Sequence, residues 1–254
     1  DGTSWWRSIR NLYIDNVNHS GMYLDGNDLS SPYTRAYHLF DSFAPDAKNI
    51  LMLWGAAYSF PKNFLETYPD KNIDVVEIDP VMTSIAKKYF YLTDDPRLTS
   101  IHQDARVYLN NSEKKYDAIL WDAFWSYFSI PFQLTTLETV EHKYDMLTEN
   151  GVVILNIIAA QSWDASKFLH AEYLTYKQVF PEVFILPVRS DIPEEVQNIM
   201  LVAAKNPDTL SFFHEDEELQ NLLTRKTYLD ILDNTPILTD NYAPVDYYIS
   251  MLTH

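Results

Sequence analysis

Cysteine is absent from the 254 residues, which excludes disulfides, thiolate metal ligands and cysteine nucleophiles. Its absence leaves the redox compartment open. Basic residues are scarce: 19 Lys and Arg against 36 Asp and Glu give a net charge of −17. Such a surface repels phosphate backbones and no basic stripe offsets it, so nucleic acid is not an expected partner. The acidity would suit a polycationic ligand, although solubility alone accounts for it. Long hydrophobic runs are missing too. The stretch 151–160 is interrupted within ten residues, too short to cross a bilayer. No basic-then-apolar leader opens the chain, which starts at Asp1 rather than Met. The expectation is a fragment or processed form with an upstream part missing.

What is present is a globular composition, 46% hydrophobic and 22% charged, in a length that fits one domain with a small appendage or two modest domains. Apolar β-type runs alternate with helical spacing. Strands are expected at 49–53, 73–77, 98–102, 116–121 and 152–157. Between them, Phe60, Phe64, Leu65 and Tyr68 mark one helix, and Val81, Ile85 and Tyr89 mark the next, with Pro80 in its first turn. A helix follows from about Ala105. Leu137, Val140, Tyr144 and Leu147 mark another, expected to stop at Asn150-Gly151. This rhythm implies parallel strands joined by right-handed crossovers. Two late runs, 183–188 and 198–204, read as an antiparallel pair with a short link. Asn11 to Asp15 reads as part of a hairpin, and Tyr33 to Phe43 as a helix. The expected fold class is α/β, a class I methyltransferase-like (Rossmann-like) seven-stranded sheet at 31–254, after a small N-terminal β-hairpin region at 1–30.

In open α/β sheets ligands lie beyond the C-terminal strand ends. Four such ends carry suitable residues: the small-residue turn 53–58 around Gly55, Glu77-Ile78-Asp79, Asp104-Ala105, and Asp122-Ala123. A carboxylate 22 residues beyond Gly55 can accept both ribose hydroxyls. A carboxylate at Asp104 can accept an adenine amino group. Any one of these acids alone is more often a helix cap or turn former; their order along the chain is the stronger signal.

The stretch 49–131 resembles the spermidine synthase (polyamine aminopropyltransferase) family. That family's glycine-rich turn, Val-Glu-Ile-Asp, Gly-Asp-Ala and Tyr-Asp-x-Ile-x-x-Asp read here as Trp54-Gly-Ala-Ala57, Val76-Glu-Ile-Asp79, Gln103-Asp-Ala105 and Tyr116-Asp-Ala-Ile-Leu-Trp-Asp122. The segment 15–19 resembles its hairpin, and His38 falls where a His often precedes the sheet. Residues 58–62 and 239–246 look more like a bacterial branch often fused to membrane segments. The resemblance implies cytoplasmic location, or the soluble part of a membrane protein, and homodimers among relatives. It implies that Glu77 and Ile78 hold the ribose of decarboxylated S-adenosylmethionine (or S-adenosylmethionine) and Asp104 and Ala105 its adenine. Gly55, Ala57 and His19 would line the donor, and Asp122 would orient and deprotonate a small-molecule amine. Trp125, Tyr127, Tyr33 and Asp240 would contact that acceptor; no metal is required.

The departures are specific. Trp125 stands where the family has a second Asp, and Pro32-Tyr33-Thr34 where it has Tyr-His-Glu. Trp54, Ala56 and Ala57 surround Gly55, where glycines would let backbone approach a ligand. A Trp can bury about 150–250 Å² and so fill the donor's methionine end, or it can point into the sheet. Phe124, Tyr127 and Phe128 would stack on a base, cage a cation or pack the lid on itself. His19 alone is more often structural, and Asp240-Asn241 reads first as a turn. Two other readings stay open: methyl transfer from intact S-adenosylmethionine, and a domain that binds a nucleoside, polyamine or protein without catalysis.

Overall fold

The computed structural model describes residues 7–14, 16–122 and 130–253. Strands β1 (Ile9–Ile14) and β2 (Val17–Tyr23) form an antiparallel hairpin. Asp15, expected within it, lies outside the described residues. A helical stretch follows as α1 (Pro32–Ala36), one 3-10 turn at Tyr37–Leu39, and α2 (Phe40–Phe43). The expected single helix is therefore composite. Tyr37, Phe40 and Phe43 recur every third residue and are all fully buried, a spacing that a three-residue turn eclipses onto one side.

The main body alternates β3 (Asn49–Leu53), α3 (Ser59–Thr67), β4 (Asn72–Val76), α4 (Pro80–Tyr89), β5 (Leu98–Ile101), α5 (Ala105–Asn111), β6 (Tyr116–Asp122), α6 (Leu137–Met146) and β7 (Leu147–Ala159). It continues with α7 (Lys167–Lys177), β8 (Glu182–Pro187), β9 (Gln197–Ala204), α8 (Glu217–Leu223) and α9 (Val245–Ser250). The sheet order is β5-β4-β3-β6-β7-β9-β8, parallel through β7 and antiparallel at β9. Strand order reverses between β3 and β6, which opens the crevice where such sheets take ligands. Both faces are covered, so the central strands are largely apolar: Ile50, Leu51, Ile119, Leu120, Ile154 and Leu155 are all fully buried.

One expectation about connections is corrected. Helix α6 ends at Met146, and Leu147 already begins β7, which runs through Asn150-Gly151 with a register shift against β6 between Tyr116 and Ala118. A Cβ on Gly151 would meet the Leu147 side chain at 2.8 Å, so glycine here permits a close packing instead of ending a helix. The link between β8 and β9 spans nine residues, 188–196, and is stapled by Gln197. Its Oε1 accepts from the Arg189 and Ser190 N–H groups at 2.7 and 3.0 Å, and its Nε2 donates to the Ser190 carbonyl at 2.8 Å. The outer edge of β8 is met by Thr227, which exchanges two backbone hydrogen bonds with Ile185. No helix among the described residues is long and apolar enough to cross a membrane.

Candidate active site

Three neighbouring strands each deliver one polar side chain to the crevice. Asp122 ends β6 and pairs in register with Asn156 on β7, while Asn198 on β9 pairs with Ile158. The Asn156 Nδ2 donates to Asp122 Oδ1 at 3.0 Å, and the Asn198 Nδ2 donates to Asn156 Oδ1 at 3.0 Å. Asn156 is 1% exposed, so this polar group inside an apolar strand is held by hydrogen bonds at both ends, as burial demands. Tyr33, from α1, donates its hydroxyl to Asp122; burial, then the Asp122 charge and that bond, holds its phenol well above the ordinary value. Tyr37 is raised in the same direction by burial and by Asp122, and its hydroxyl donates to the Trp121 carbonyl at 3.0 Å.

These groups line a cavity of about 190 Å³, with Trp54, Gly55 and Ala56 on one side and Asn18, His19 and Ser20 of the hairpin over it. The hairpin is fixed there because Ser59 Oγ lies 3.0 Å from both Ser20 Oγ and the Gly21 carbonyl.

The turn between β3 and α3 is unusual. Trp54, Ala56 and Tyr58 have φ of 91°, 44° and 58°, a region that glycine tolerates and side chains resist. Gly55 itself has no positive φ; it is glycine because a Cβ would meet the Tyr58 ring at 2.8 Å and Val75 Cγ1 at 2.9 Å. The Glu77 carboxylate clasps this turn. Its Oε2 accepts from the Gly55 and Ala56 N–H groups, both at 3.2 Å, and its Oε1 from the Asp79 N–H at 3.1 Å. Glu77 is 2% exposed. Burial raises its pKa, and the three N–H groups work against that rise.

The structure thus brings Asp122, Tyr33, Gly55 and His19 around one cavity. Glu77 lies beneath the turn, while Ile78 is 52% exposed beside it. Ala57 is fully buried against Met22 and Phe90 and lies outside the lining of this cavity. Asp104 serves as the N-cap of α5, accepting from the Val107 N–H at 3.0 Å, and Ala105 packs against the core. Asp240 lies outside the cavity lining. Its carboxylate accepts from Arg106 at 2.7 Å and Thr136 at 2.6 Å, tying the C-terminal segment down instead of facing the cavity. The 239–242 turn is present, with Thr239 and Tyr242 exchanging backbone bonds at 2.9 Å. Trp125 and Tyr127, with Ala123, Phe124 and Phe128, lie outside the described residues. Asn156 and Asn198 were not singled out from the sequence, although a lone Asn inside 152–159 is a visible exception to an apolar run.

Beside Trp121 lies Lys143, which is coupled electrostatically to Glu172, a carboxylate with no hydrogen-bond partner among the described residues. Lys143 and Glu172 are fully buried, and Lys143 Nζ lies 3.8 Å from the Trp121 ring centroid. It donates to the Leu134 carbonyl at 3.1 Å and the Tyr176 hydroxyl at 2.9 Å. Burial lowers Lys143 to about 7, with the Glu172 charge opposing, and raises Glu172 to about 8, with the Lys143 charge opposing.

A sheet of this order, with acidic residues at the ends of β4 and β6 and another opening α5, defines a class I methyltransferase-like fold. The Spermine/spermidine synthase domain profile matches residues 37–214. A polyamine aminopropyltransferase of Vibrio vulnificus is 31% identical over 231 residues, 85% of this chain and 74% of that protein. The chain belongs to the spermine/spermidine synthase family. Among solved structures, a probable spermidine synthase from Corynebacterium glutamicum superposes with a TM-score of 0.75 at 20% identity, over 96% of this chain and 93% of that one. Human methyltransferase-like protein 13, solved in complex with SAH, gives 0.61 at 20% identity, over 84% and 100%.

Proposed function

We propose that the chain transfers an aminopropyl group from decarboxylated S-adenosylmethionine to a small amine. The observation that carries this is the Asp122–Tyr33–Asn156 cluster, a carboxylate held in one orientation at the mouth of an acceptor-sized cavity beside the β3–α3 turn. Support comes from the Vibrio vulnificus relative's name, polyamine aminopropyltransferase. A cavity of about 190 Å³ is below the roughly 300 Å³ of ordinary ligand pockets, so it fits the acceptor and not a nucleoside as well. The donor's ribose would fall to Glu77 and its adenine to Asp104, both of which now hold backbone N–H groups.

The donor supplies a sulfonium leaving group. Asp122 takes the proton that the acceptor's ammonium must lose, and the freed nitrogen lone pair forms the new C–N bond as the C–S electron pair returns to sulfur. The hydrogen bonds from Asn156 and Tyr33 fix which carboxylate edge faces the amine. Asp122→Asn should lower methylthioadenosine release by about 10²–10⁴-fold with donor affinity retained. Unchanged turnover in that variant would remove Asp122 from the chemistry. Release of S-adenosylhomocysteine from intact S-adenosylmethionine, in place of methylthioadenosine from the decarboxylated form, would identify methyl transfer instead.

A further inference from the structure

We infer that Asn198 is a positioning residue for the reaction, acting on Asp122 through the Asn156 amide; the inference rests on the reading of Asp122 as the group that takes the acceptor's proton. The three side chains step across three neighbouring strands on one face of the sheet. Asp122 on β6 pairs with Asn156 on β7, and Asn198 on β9 lies opposite Ile158, two residues from Asn156. Side chains at that diagonal spacing on one face can still meet. Asn198 is itself held. Its carbonyl accepts from the Val188 N–H at 3.0 Å, and Gln197 beside it staples the 188–196 link.

A primary amide offers a donor at one end and an acceptor at the other. Asn156 is buried between Leu155 and Ile157, so both of its ends need partners inside the protein. Asn198 Nδ2 donates to the Asn156 carbonyl oxygen at 3.0 Å, and Asn156 Nδ2 donates onward to Asp122 at 3.0 Å. The donors therefore all point one way along the row, toward the carboxylate. An amide whose carbonyl accepts a hydrogen bond is polarised into a better donor at its own N–H, so Asn198 strengthens the bond that orients Asp122. The same polarity favours the ionised carboxylate, the form that can receive a proton. An acceptor-only group at position 198 would reverse the row. Asn156 would then give its N–H to that side and turn its carbonyl oxygen toward Asp122. The other titratable groups lining this cavity among the described residues are Tyr33 and Tyr37 from the helical stretch and His19 from the hairpin, and all three are retained in the test.

The test follows the Asp122 carboxyl by carbon-13 NMR titration in donor-free protein. Beside it, methylthioadenosine release is measured against pH with decarboxylated S-adenosylmethionine and 1,4-diaminobutane. Asn198→Asp should raise the Asp122 midpoint, and the acid limb of kcat/KM with it, by about one to two pH units, the shift that one hydrogen bond to a charged carboxylate supports. The sign is upward because the carboxylate exchanges an N–H donor for a carbonyl oxygen. Asn198→Leu adds no charge and should lower kcat by about tenfold with KM little changed. Asn156→Leu removes the connecting amide. In that background Asn198→Leu should cost nothing more, and the Asn198→Asp shift should fall by about half or more. A midpoint unmoved by Asn198→Asp in a folded protein overturns the inference, as does an equal shift with and without Asn156. A parent that releases no methylthioadenosine while the titration cycle holds would refute aminopropyl transfer and leave the coupling of Asn198 to Asp122 standing.

Discussion

Replacing Lys143 by Met removes one half of a buried pair and leaves the other half without a counter-charge. Removing one partner of a buried pair costs about 3–5 kcal/mol, because an uncompensated charge remains in the interior. For a chain of this size each kcal/mol moves the midpoint by about 2–4 °C, so the variant should melt roughly 6–20 °C lower once Glu172 is ionised above about pH 8, and much less near neutral pH, where Glu172 stays protonated. The loss must depend on pH, and its sign follows from Glu172. Its folded pKa, about 8, is raised above 4.5, so its contribution is fully present below pH 4.5 and is lost as pH rises through 8. Lys143→Met therefore loses up to about 1.4 kcal/mol per pH unit across that window. Glu172→Gln should show the opposite slope. Lys143 is depressed from 10.5 to about 7, so stability in that variant falls as pH drops through this range. The Arg106 charge also disfavours the Lys143 cation and so contributes to that depression. In the parent, pKa values of about 7 and about 8 mean that near pH 7.5 the folded pair holds about one proton, as the unfolded chain does, so the profile should be nearly flat there. The double variant Lys143→Met/Glu172→Leu should recover most of the loss, since an apolar replacement of a whole buried pair is often neutral or better. Urea unfolding followed by tryptophan fluorescence at several pH values measures all four proteins. A flat profile for Lys143→Met, or a double variant as damaged as the sum of the singles, would refute the coupling.

Other expectations are simpler. Gly55→Ala should cost about 1–3 kcal/mol in thermal melts, because its Cβ meets the Tyr58 ring and Val75 below 3.0 Å. His38 is held down to about 4, chiefly by burial, so the parent should lose stability as pH falls from 6.5 toward 4. His38→Phe should flatten that limb, which acid titration monitored by circular dichroism would record. Asp240→Ala should lower the midpoint by about 2–4 °C, corresponding to about 1 kcal/mol for a half-exposed ion pair with added hydrogen bonds. High salt should shrink that difference, as calorimetry in low and high ionic strength would show.

The strands were legible because most are short, largely apolar runs, and a carboxylate at the end of such a run is conspicuous. What stayed hidden was set by partners distant in sequence. Leu147 falls three residues after Tyr144 and reads as helix, but the parallel pairing of Tyr116 with Leu147 makes it strand. Asp240 was recognisable as a turn residue, yet Arg106 lies 134 residues away and Thr136 104 residues away, so local reading could not assign its carboxylate. Nothing in Trp54-Gly-Ala-Ala-Tyr58 announces three positive φ values; the clasp that supports them is Glu77, just past the end of β4. Asn156 was missed for another reason. Its polarity was absorbed into an apolar average, and only the register with Asp122 reveals its use.

The treatment of the sheet's two edges bears on self-association. An exposed edge offers unpaired N–H and C=O groups to any extended segment, and long flat edges seed fibrillar aggregates. On β8 the two-bond contact with Thr227 interrupts that row, Pro187 at the strand end offers no donor, and Glu182 beside Lys226 places charge next to it. At the other side β5 has only four residues, too short a template for stable annealing. Deleting or loosening the segment around Thr227 would therefore convert the β8 edge into a sticky one, with turbidity and thioflavin binding rising before any loss of helical signal.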